Sequence, residues 1–428
     1  MMTKQARRRR KNHDADAGMD DDDALMMMMI MNLPRDIIFE ILSRLPIESL
    51  LQCMSVCKLW STFRYDSNFI DLHHTKSIMH RPPTLVLITS SPMEPKDKLS
   101  SILTVSPDRE GGGGGGDCRK AKPIPLGFEL EGNCLDIMGS CNGFICIAER
   151  EGLGLICLCN PITRERFMLP KSHRILPRTF SNSRPINSVG FGFDSVSKKY
   201  KVVRALYYTN CYDKVTRYCE IITVGEESSW RKLEFPNMSV QDQHVCGRDL
   251  YGYILEQYET HPVLLDGTLY WLIENHNFDS DNGEYILALD IDSEKFWTID
   301  CCPPPRKCRE RRSLIQMDGS LAIVDYAFTY RLSIWSMDIW LLKGSKTMGF
   351  SFTLTTYDME RWGARFSVMA KYGQDAFLLR VWKFMKPGVE TSLLLYSPLK
   401  KQKVLYVQET WKSERLLGNW IVPTLKSL

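Results

Sequence analysis

Apolar side chains recur at Leu33, Ile37, Ile38, Ile41, Leu42 and Leu45, intervals of three and four that place them along one face of a helix. Pro34 sits where a helix can begin, because no amide partner is needed in the first turn, and Asp36 suits the positive helix end. Pro46 stops this helix and opens another, with Glu48 as its early acid and Ile47, Leu50, Leu51 and Met54 as its stripe. Val56, Trp60, Phe63, Phe69 and Leu72 extend the apolar set. This predicts a compact group of short amphipathic helices over residues 31–76, with too little core to stand alone. From Pro82 onward short apolar runs alternate with turns, beginning at Thr84 to Thr89, and the helical period is nearly absent after residue 90.

Two turn signals recur in this second region. One is an Asn/Asp-Gly step opening a strand, at Asn142-Gly143, Asp266-Gly267 and Asp318-Gly319, with a looser copy at Tyr372-Gly373. Such steps fit tight hairpins, in which both central residues take positive φ. The other is a polar turn between strands, at Asn160 to Arg166, Asp194 to Tyr200, Asp290 to Phe296 and Ser397 to Lys403. Gly267 to Gly319 is 52 residues and Gly319 to Gly373 is 54. A period near 50 predicts a β-propeller of four-stranded blades, with room for roughly six or seven; a two-sheet β-sandwich is the alternative.

Composition adds boundaries. Residues 1–30 carry a basic block, Arg7 to Lys11, and an acidic one, Asp20 to Asp23, and read as a disordered tail. Arg7 to Lys11 reads first as a solvated stretch, with a nuclear import signal as the alternative. Residues 77–428 form the β domain, with a flexible loop at 106–117 that contains Gly111 to Gly116. That loop lacks the Gly-Lys-Ser/Thr of a phosphate cradle. A net charge of +4 gives no general attraction to nucleic acid. No apolar run reaches the roughly 20 residues of a membrane span, and no signal-peptide pattern is present, so the expected location is the cytoplasm, the nucleus or both. The 14 cysteines read as reduced thiols, with Cys146, Cys157 and Cys159 inside apolar runs.

Little points to catalysis. There is no Gly-x-Ser-x-Gly elbow and no His-Glu-x-x-His pair. Gly190-Phe191-Gly192-Phe193 lacks the third glycine and the helix of a dinucleotide site. Cys301, Cys302 and Cys308 lack the second half of a zinc site. Asp266, Asp290 and Asp318 read as turn residues, and His73-His74 as a polar helix end. The expectation is no cofactor, no metal and no catalytic residue.

The run Leu33-Pro34-Arg35-Asp36 to Leu45-Pro46, with Ser49-Leu50-Leu51 and Val56-Cys57-Lys58-Leu59-Trp60, resembles the F-box. Gly139-Ser140-Cys141-Asn142-Gly143, Asn160-Pro161-Ile162-Thr163, Val189 to Asp194 and Leu264 to Trp271 resemble the F-box-associated (kelch-like) domain of large plant F-box families, although the strands lack the Gly-Gly doublets of strict kelch blades. The resemblance implies a non-catalytic subunit of a Skp–cullin–F-box ubiquitin ligase. Its F-box would dock a Skp-type adaptor, and through it cullin, by Leu33, Pro34, Ile37, Ile41, Leu45, Pro46, Leu50, Val56, Lys58 and Trp60. Gln52-Cys53-Met54 departs from the basic and aromatic residues that plant relatives often carry, which implies a weaker or more selective contact. The β domain would hold an unknown protein target, with neither nucleic acid nor membrane as partner. Candidate target loops are Asn275 to Glu284, Cys211 to Arg217 and Arg306 to Arg312, the last read as a solvated basic loop. Tyr326, Phe328 and Tyr330 read as core or cross-strand packing. The alternatives are a propeller enzyme, a carbohydrate or ligand binder, and an F-box protein that acts without ubiquitylation.

Overall fold

A computed structural model of the chain describes residues 33–80, 84–90, 97–105, 122–132, 135–149, 154–172, 186–209, 215–234, 262–273, 285–299, 309–329, 334–343, 347–355, 364–372, 376–385, 388–397, 402–411 and 415–421. The tail at 1–30 and the loop at 106–117 lie outside them. Contacts divide the chain into two units, Met1–His73 and His74–Leu428, and the division falls inside a helix.

The first unit is helical: α1 (Arg35–Leu42), α2 (Ile47–Val56), α3 (Lys58–Thr62), a 3-10 turn (Phe63–Tyr65) and α4 (Ser67–His80), which runs past the boundary. Pro34 and Pro46 stand one residue earlier than the first-turn position expected of them. Each precedes its helix at φ −52°, with ψ of 142° and 148°, and lends its carbonyl to the first helical bonds. The proline ring fixes φ, and its missing N–H removes a donor that would have had no partner there.

The second unit is a β-propeller of six four-stranded antiparallel sheets among the described residues. Blade 2 is β4 (Leu135–Cys141), β5 (Phe144–Glu149), β6 (Ile156–Cys159) and β7 (Arg166–Met168). Blade 3 is β8 (Ile186–Asp194), β9 (Lys199–Thr209), β10 (Val215–Thr223) and β11 (Arg231–Leu233). Blade 4 is β12 (Val263–Leu265), β13 (Thr268–Ile273), β14 (Tyr285–Asp290) and β15 (Phe296–Ile299). Blade 5 is β16 (Arg309–Met317), β17 (Ser320–Thr329), β18 (Ile334–Lys343) and β19 (Thr347–Thr355). Blade 6 is β20 (Ala364–Tyr372), β21 (Ala376–Met385), β22 (Gly388–Ser397) and β23 (Gln402–Trp411). Blade 1 departs from this sequential order. It sets the C-terminal β24 (Arg415–Ile421) beside β1 (Thr84–Ser90), β2 (Asp97–Val105) and β3 (Lys122–Gly132). Every residue of β1 pairs with β24, from Thr84↔Ile421 to Ser90↔Arg415.

Both turn signals take the geometry their chemistry demands. Asn142-Gly143, Asp266-Gly267 and Asp318-Gly319 have φ pairs of 49° and 83°, 48° and 74°, and 50° and 71°. Positive φ at both central residues matches the twist of a two-residue hairpin. The polar turns share another device. Asn160, Asp194 and Asp290 accept bonds from amides two or three residues on, and Arg164, Lys198 and Glu294, four residues on, take φ of 62°, 59° and 57°. Tyr372-Gly373 and the turn inside Ser397 to Lys403 fall at least partly outside the described residues.

The core is a set of apolar layers between blades. Ile145, Ile147, Cys157 and Cys159 meet Val86 and Ile102 between blades 2 and 1; Met138, Phe144 and Cys146 meet Val189, Phe191 and Val202 between blades 2 and 3. Val203 and Ile221 meet Leu269 and Leu287 between blades 3 and 4. Val324, Tyr326 and Met337 meet Val368, Phe377 and Leu379 between blades 5 and 6. The Val-Gly-Phe-Gly-Phe run of β8 serves two layers. Its Val189 and Phe191 face blade 2, while its glycines face blade 4, where a Cβ on Gly190 would lie 2.5 Å from Leu269 and one on Gly192 2.1 Å from Ile291. Ile291 is fully buried and has nowhere to retreat. Gly192→Val is therefore expected to destabilise the chain by about 1–3 kcal/mol, read as a lower urea midpoint; an unchanged midpoint would refute this packing.

A buried ionic knot joins blades 3 and 4. Lys201 Nζ donates to Asp194 Oδ2 and Glu294 Oε1, both at 2.7 Å, and to the Ile291 carbonyl at 3.0 Å, so all three ammonium hydrogens are used. Arg231 joins Glu294 and Glu227, and Ser195 donates its amide and hydroxyl to Asp292. Burial opposes the charge on Asp194, but bonds from Lys201 and the Ser197 and Val196 amides outweigh it and hold its carboxyl well below the usual carboxylate range. Glu294 is lowered in the same sense, with burial opposed by Arg231 and Lys201. Depressed folded values mean stability that is present above the unfolded carboxylate pKa, about 4, and is lost as pH falls through the folded values. Lys201→Met leaves the buried Asp194 carboxylate without its cation, while Glu294 keeps Arg231, and is expected to cost about 3 kcal/mol at neutral pH. Urea melts across the acid range would show a flatter pH dependence in the variant; an acid slope equal to the parent's would place the acid-sensitive groups elsewhere.

Candidate functional site

The helical unit encloses a small aromatic centre. Phe39, Phe63 and Phe69 have ring centroids 4.8, 4.9 and 5.6 Å apart, and Ile38, Leu42, Ile47, Leu50 and Met54 are buried within the same unit. The Arg35 guanidinium lies 5.0 Å from the Phe39 ring and pairs with Asp66. Asp66 Oδ1 in turn accepts the Phe69 amide at 3.0 Å, capping the positive end of α4. His73 is buried and its Nε2 lies 3.2 Å from the Leu45 carbonyl, which ties α4 to the turn between α1 and α2. A carbonyl can only accept, so Nε2 carries the hydrogen in this contact.

Nine of the ten residues expected to meet the adaptor keep some surface. Pro34, Ile37, Ile41, Pro46, Val56 and Lys58 are exposed, and Leu33, Leu45 and Trp60 are half-buried. Leu50 is the exception: it is fully buried and packs the unit's own core, since the stripe of α2 turns inward at this position. Two residues were missed by sequence reasoning. Leu59 is 50% exposed and Tyr65 is 77% exposed, with Arg64 stacked over its ring. The spacing of Leu59 three residues after Val56 was the available signal. Tyr65 carried none, because it lies past the motif.

Four aliphatic side chains, Ile37, Ile41, Val56 and Leu59, thus stand 47–50% exposed on helices whose core closes without them. Apolar surface held in water on ordered helices favours a partner that covers it. Cys57 explains part of the Val-Cys-Lys-x-Trp pattern. It breaks α2 from α3 at φ −146° and ψ 157°, and its Sγ accepts the Trp60 amide at 3.4 Å. Sulfur is a weak acceptor, so Cys57→Ser is expected to strengthen this cap by about 0.5–1 kcal/mol, visible as a higher melting midpoint. A lower midpoint would mean that the thiol matters through packing instead.

In the second unit, Asn275 to Glu284, Cys211 to Lys214 and Arg306 to Cys308 lie outside the described residues, as does Tyr330. The basic stretch requires a correction at its far end. Arg309 opens strand β16 rather than continuing a solvated loop, and Arg312 is buried and paired with Asp325 at 2.9 Å. The two stand opposite each other in the β16–β17 register, so the charge is answered inside the blade. Tyr326 is buried core, its hydroxyl accepting the Val368 amide at 2.9 Å across the blade 5–6 layer. A second buried cation, Arg204, lies between blades 2 and 3. It reaches Glu220 at 3.4 Å and the Gly154 carbonyl at 3.3 Å, with its guanidinium 4.7 Å from the Trp230 ring. Burial pushes the Cys146 and Cys219 thiols up, which leaves them protonated and unreactive. Among the described residues no group of three or more His, Cys, Asp or Glu is placed to hold a metal, and no helix is long and apolar enough to cross a membrane. Cys301, Cys302 and Cys308 lie outside that set.

Comparison with known proteins bears on both units. The family described as the F-box associated beta propeller domain matches residues 127–348, and the F-box domain matches residues 30–63. Similar curated proteins come from Arabidopsis thaliana. F-box protein At5g49610 is 24% identical over 392 residues, spanning 89% of this chain and 90% of its own length. F-box protein At3g07870 is 25% identical, over 76% of this chain and 73% of that one. Among solved structures, a polysaccharide lyase, ulvan lyase, aligns at a TM-score of 0.35 and 11% identity over 69% of this chain and 76% of its own, too loosely to bear on function.

Proposed function

The chain belongs to the F-box-associated β-propeller family, and we propose on that premise that it is the substrate-recognition subunit of a Skp–cullin–F-box ubiquitin ligase, acting in the cytoplasm or nucleus. The helical unit docks the Skp-type adaptor, and the propeller holds the protein to be ubiquitylated. The observation that carries this reading is the exposed aliphatic set Ile37, Ile41, Val56 and Leu59. Ile37 and Ile41 stand one turn apart on α1 and form one stripe, and burying them against a partner removes apolar area from water without disturbing the Phe39–Phe63–Phe69 centre. The subunit itself performs no chemistry in this reading. It works by proximity, raising the effective concentration of a target lysine beside the charged ubiquitin carrier.

The test is co-purification of the full chain with a Skp-type adaptor, beside an Ile37→Asp, Ile41→Asp double variant. Both positions are solvent-facing, so the variant is expected to keep the parental urea midpoint. Loss of two central apolar contacts is expected to weaken binding by about 30-fold or more, the scale of an interface hot spot. A folded parent that retains no adaptor, or a variant that binds as the parent does, would overturn the proposal.

A further inference from the structure

The three described Asn/Asp-Gly turns share one geometry but not one side chain. Asp266 and Asp318 fill the first position in two of them, and an amide, Asn142, fills it in the third. Asn142 is half-buried, and within the second unit its Oδ1 lies 3.1 Å from Nε2 of His74, which is itself 9% exposed. An amide oxygen only accepts, so His74 donates in this arrangement and draws electron density from the Asn142 carboxamide carbon. The next residue, Gly143, has no Cβ to obstruct its own amide nitrogen. The hairpin closes through Cys141↔Phe144, so the Gly143 N–H is not committed to the strand ladder.

We propose that Asn142-Gly143 is a site of spontaneous covalent modification, in which the Gly143 nitrogen attacks the Asn142 carboxamide and His74 stabilises the developing oxyanion. A bond forms between Gly143 N and Asn142 Cγ, and the amide proton passes to solvent base. The Cγ–Nδ2 bond then breaks, and ammonia leaves with a proton taken from water. The resulting cyclic imide adds one water and opens to aspartate or to isoaspartate. No oxidant or reductant is needed. A donor aimed at the oxygen where charge develops is the same device that stabilises tetrahedral intermediates in acyl transfer.

The two products differ in consequence. Aspartate is what the matching turns already carry at residues 266 and 318, so the hairpin is retained and the neutral contact becomes a histidine–carboxylate pair. Isoaspartate inserts an extra main-chain carbon into a two-residue turn that tolerates none, and unseats the Cys141↔Phe144 closure of blade 2. The site thereby limits the lifetime of the intact propeller.

The experiment is peptide mapping of the full chain during incubation at mildly alkaline pH and body temperature, with enzymatic methylation to count isoaspartate. A synthetic peptide of residues 138–148 serves as the unfolded reference. Conversion at residue 142 in the parent, slowed about three- to tenfold in His74→Phe, the effect of one hydrogen bond, and partly restored in His74→Gln, is the expected result. A parent left unconverted while the peptide converts fully overturns the proposal even if the His74 variants fail to fold. So does conversion in a folded His74→Phe at the parental rate.

Discussion

Seven residues at the C-terminal end of the described chain hold the second unit closed. β1 lies second in its blade, and the strand on its inner side is β24, made some 330 residues later. Without that pairing, β1 would present a row of free amides and carbonyls. Blade 6 would also lose its neighbour, because β24 is the strand that approaches both β22 and β4. Each of the other blades is complete within a continuous stretch of sequence, so closure is the one step that must wait for the whole chain.

Closure matters because the apolar layers lie between blades and not inside them. A single four-stranded sheet has two faces to cover, and apolar layers fill the spaces between blades 1 and 2, 2 and 3, 3 and 4, 4 and 5, and 5 and 6. The layers are trimmed to fit. β8 places glycines toward blade 4 and Val189 and Phe191 toward blade 2, so one strand offers a flat face and a bulky one. Where polar groups enter a layer they are answered across it, as with Lys201 between Asp194 and Glu294, or Trp271 donating to Ser188 at 3.0 Å. Asp194 and Lys201 belong to blade 3 and Glu294 to blade 4, so sliding one blade would part Glu294 from Lys201 and Arg231.

What could be read from the sequence was local, and what could not was contact at a distance. The Asn/Asp-Gly turns were legible because positive φ at two successive residues is a demand that few side chains meet. The period near 50 residues gave the blades, and the polar turns marked the hairpins β6–β7, β8–β9 and β14–β15. The partner of β1 was hidden, because no pattern in Thr84 to Thr89 refers to residues 415–421. Arg312 looked like part of a basic loop because its partner, Asp325, sits 13 positions on and becomes its neighbour only through the hairpin register. In the helical unit, the stripe of α2 was visible but its inward turn at Leu50 was not, since spacing shows that residues share a face and not which neighbour covers it.

The helical unit shows why that last distinction decides function. Ile38 and Ile37 are adjacent and chemically identical, yet one is 3% and the other 47% exposed. Three phenylalanine rings fill the centre, and rings of that size close a small core with few residues. The aliphatic residues left over have no role in that closure. A marginal helical fold gains nothing from keeping isoleucine, valine and leucine in water, because polar residues would hold the same helices at least as well. They stand on α1 to α3 outside a core that is already complete, so whatever happens at that outer face leaves the packing of the unit unchanged.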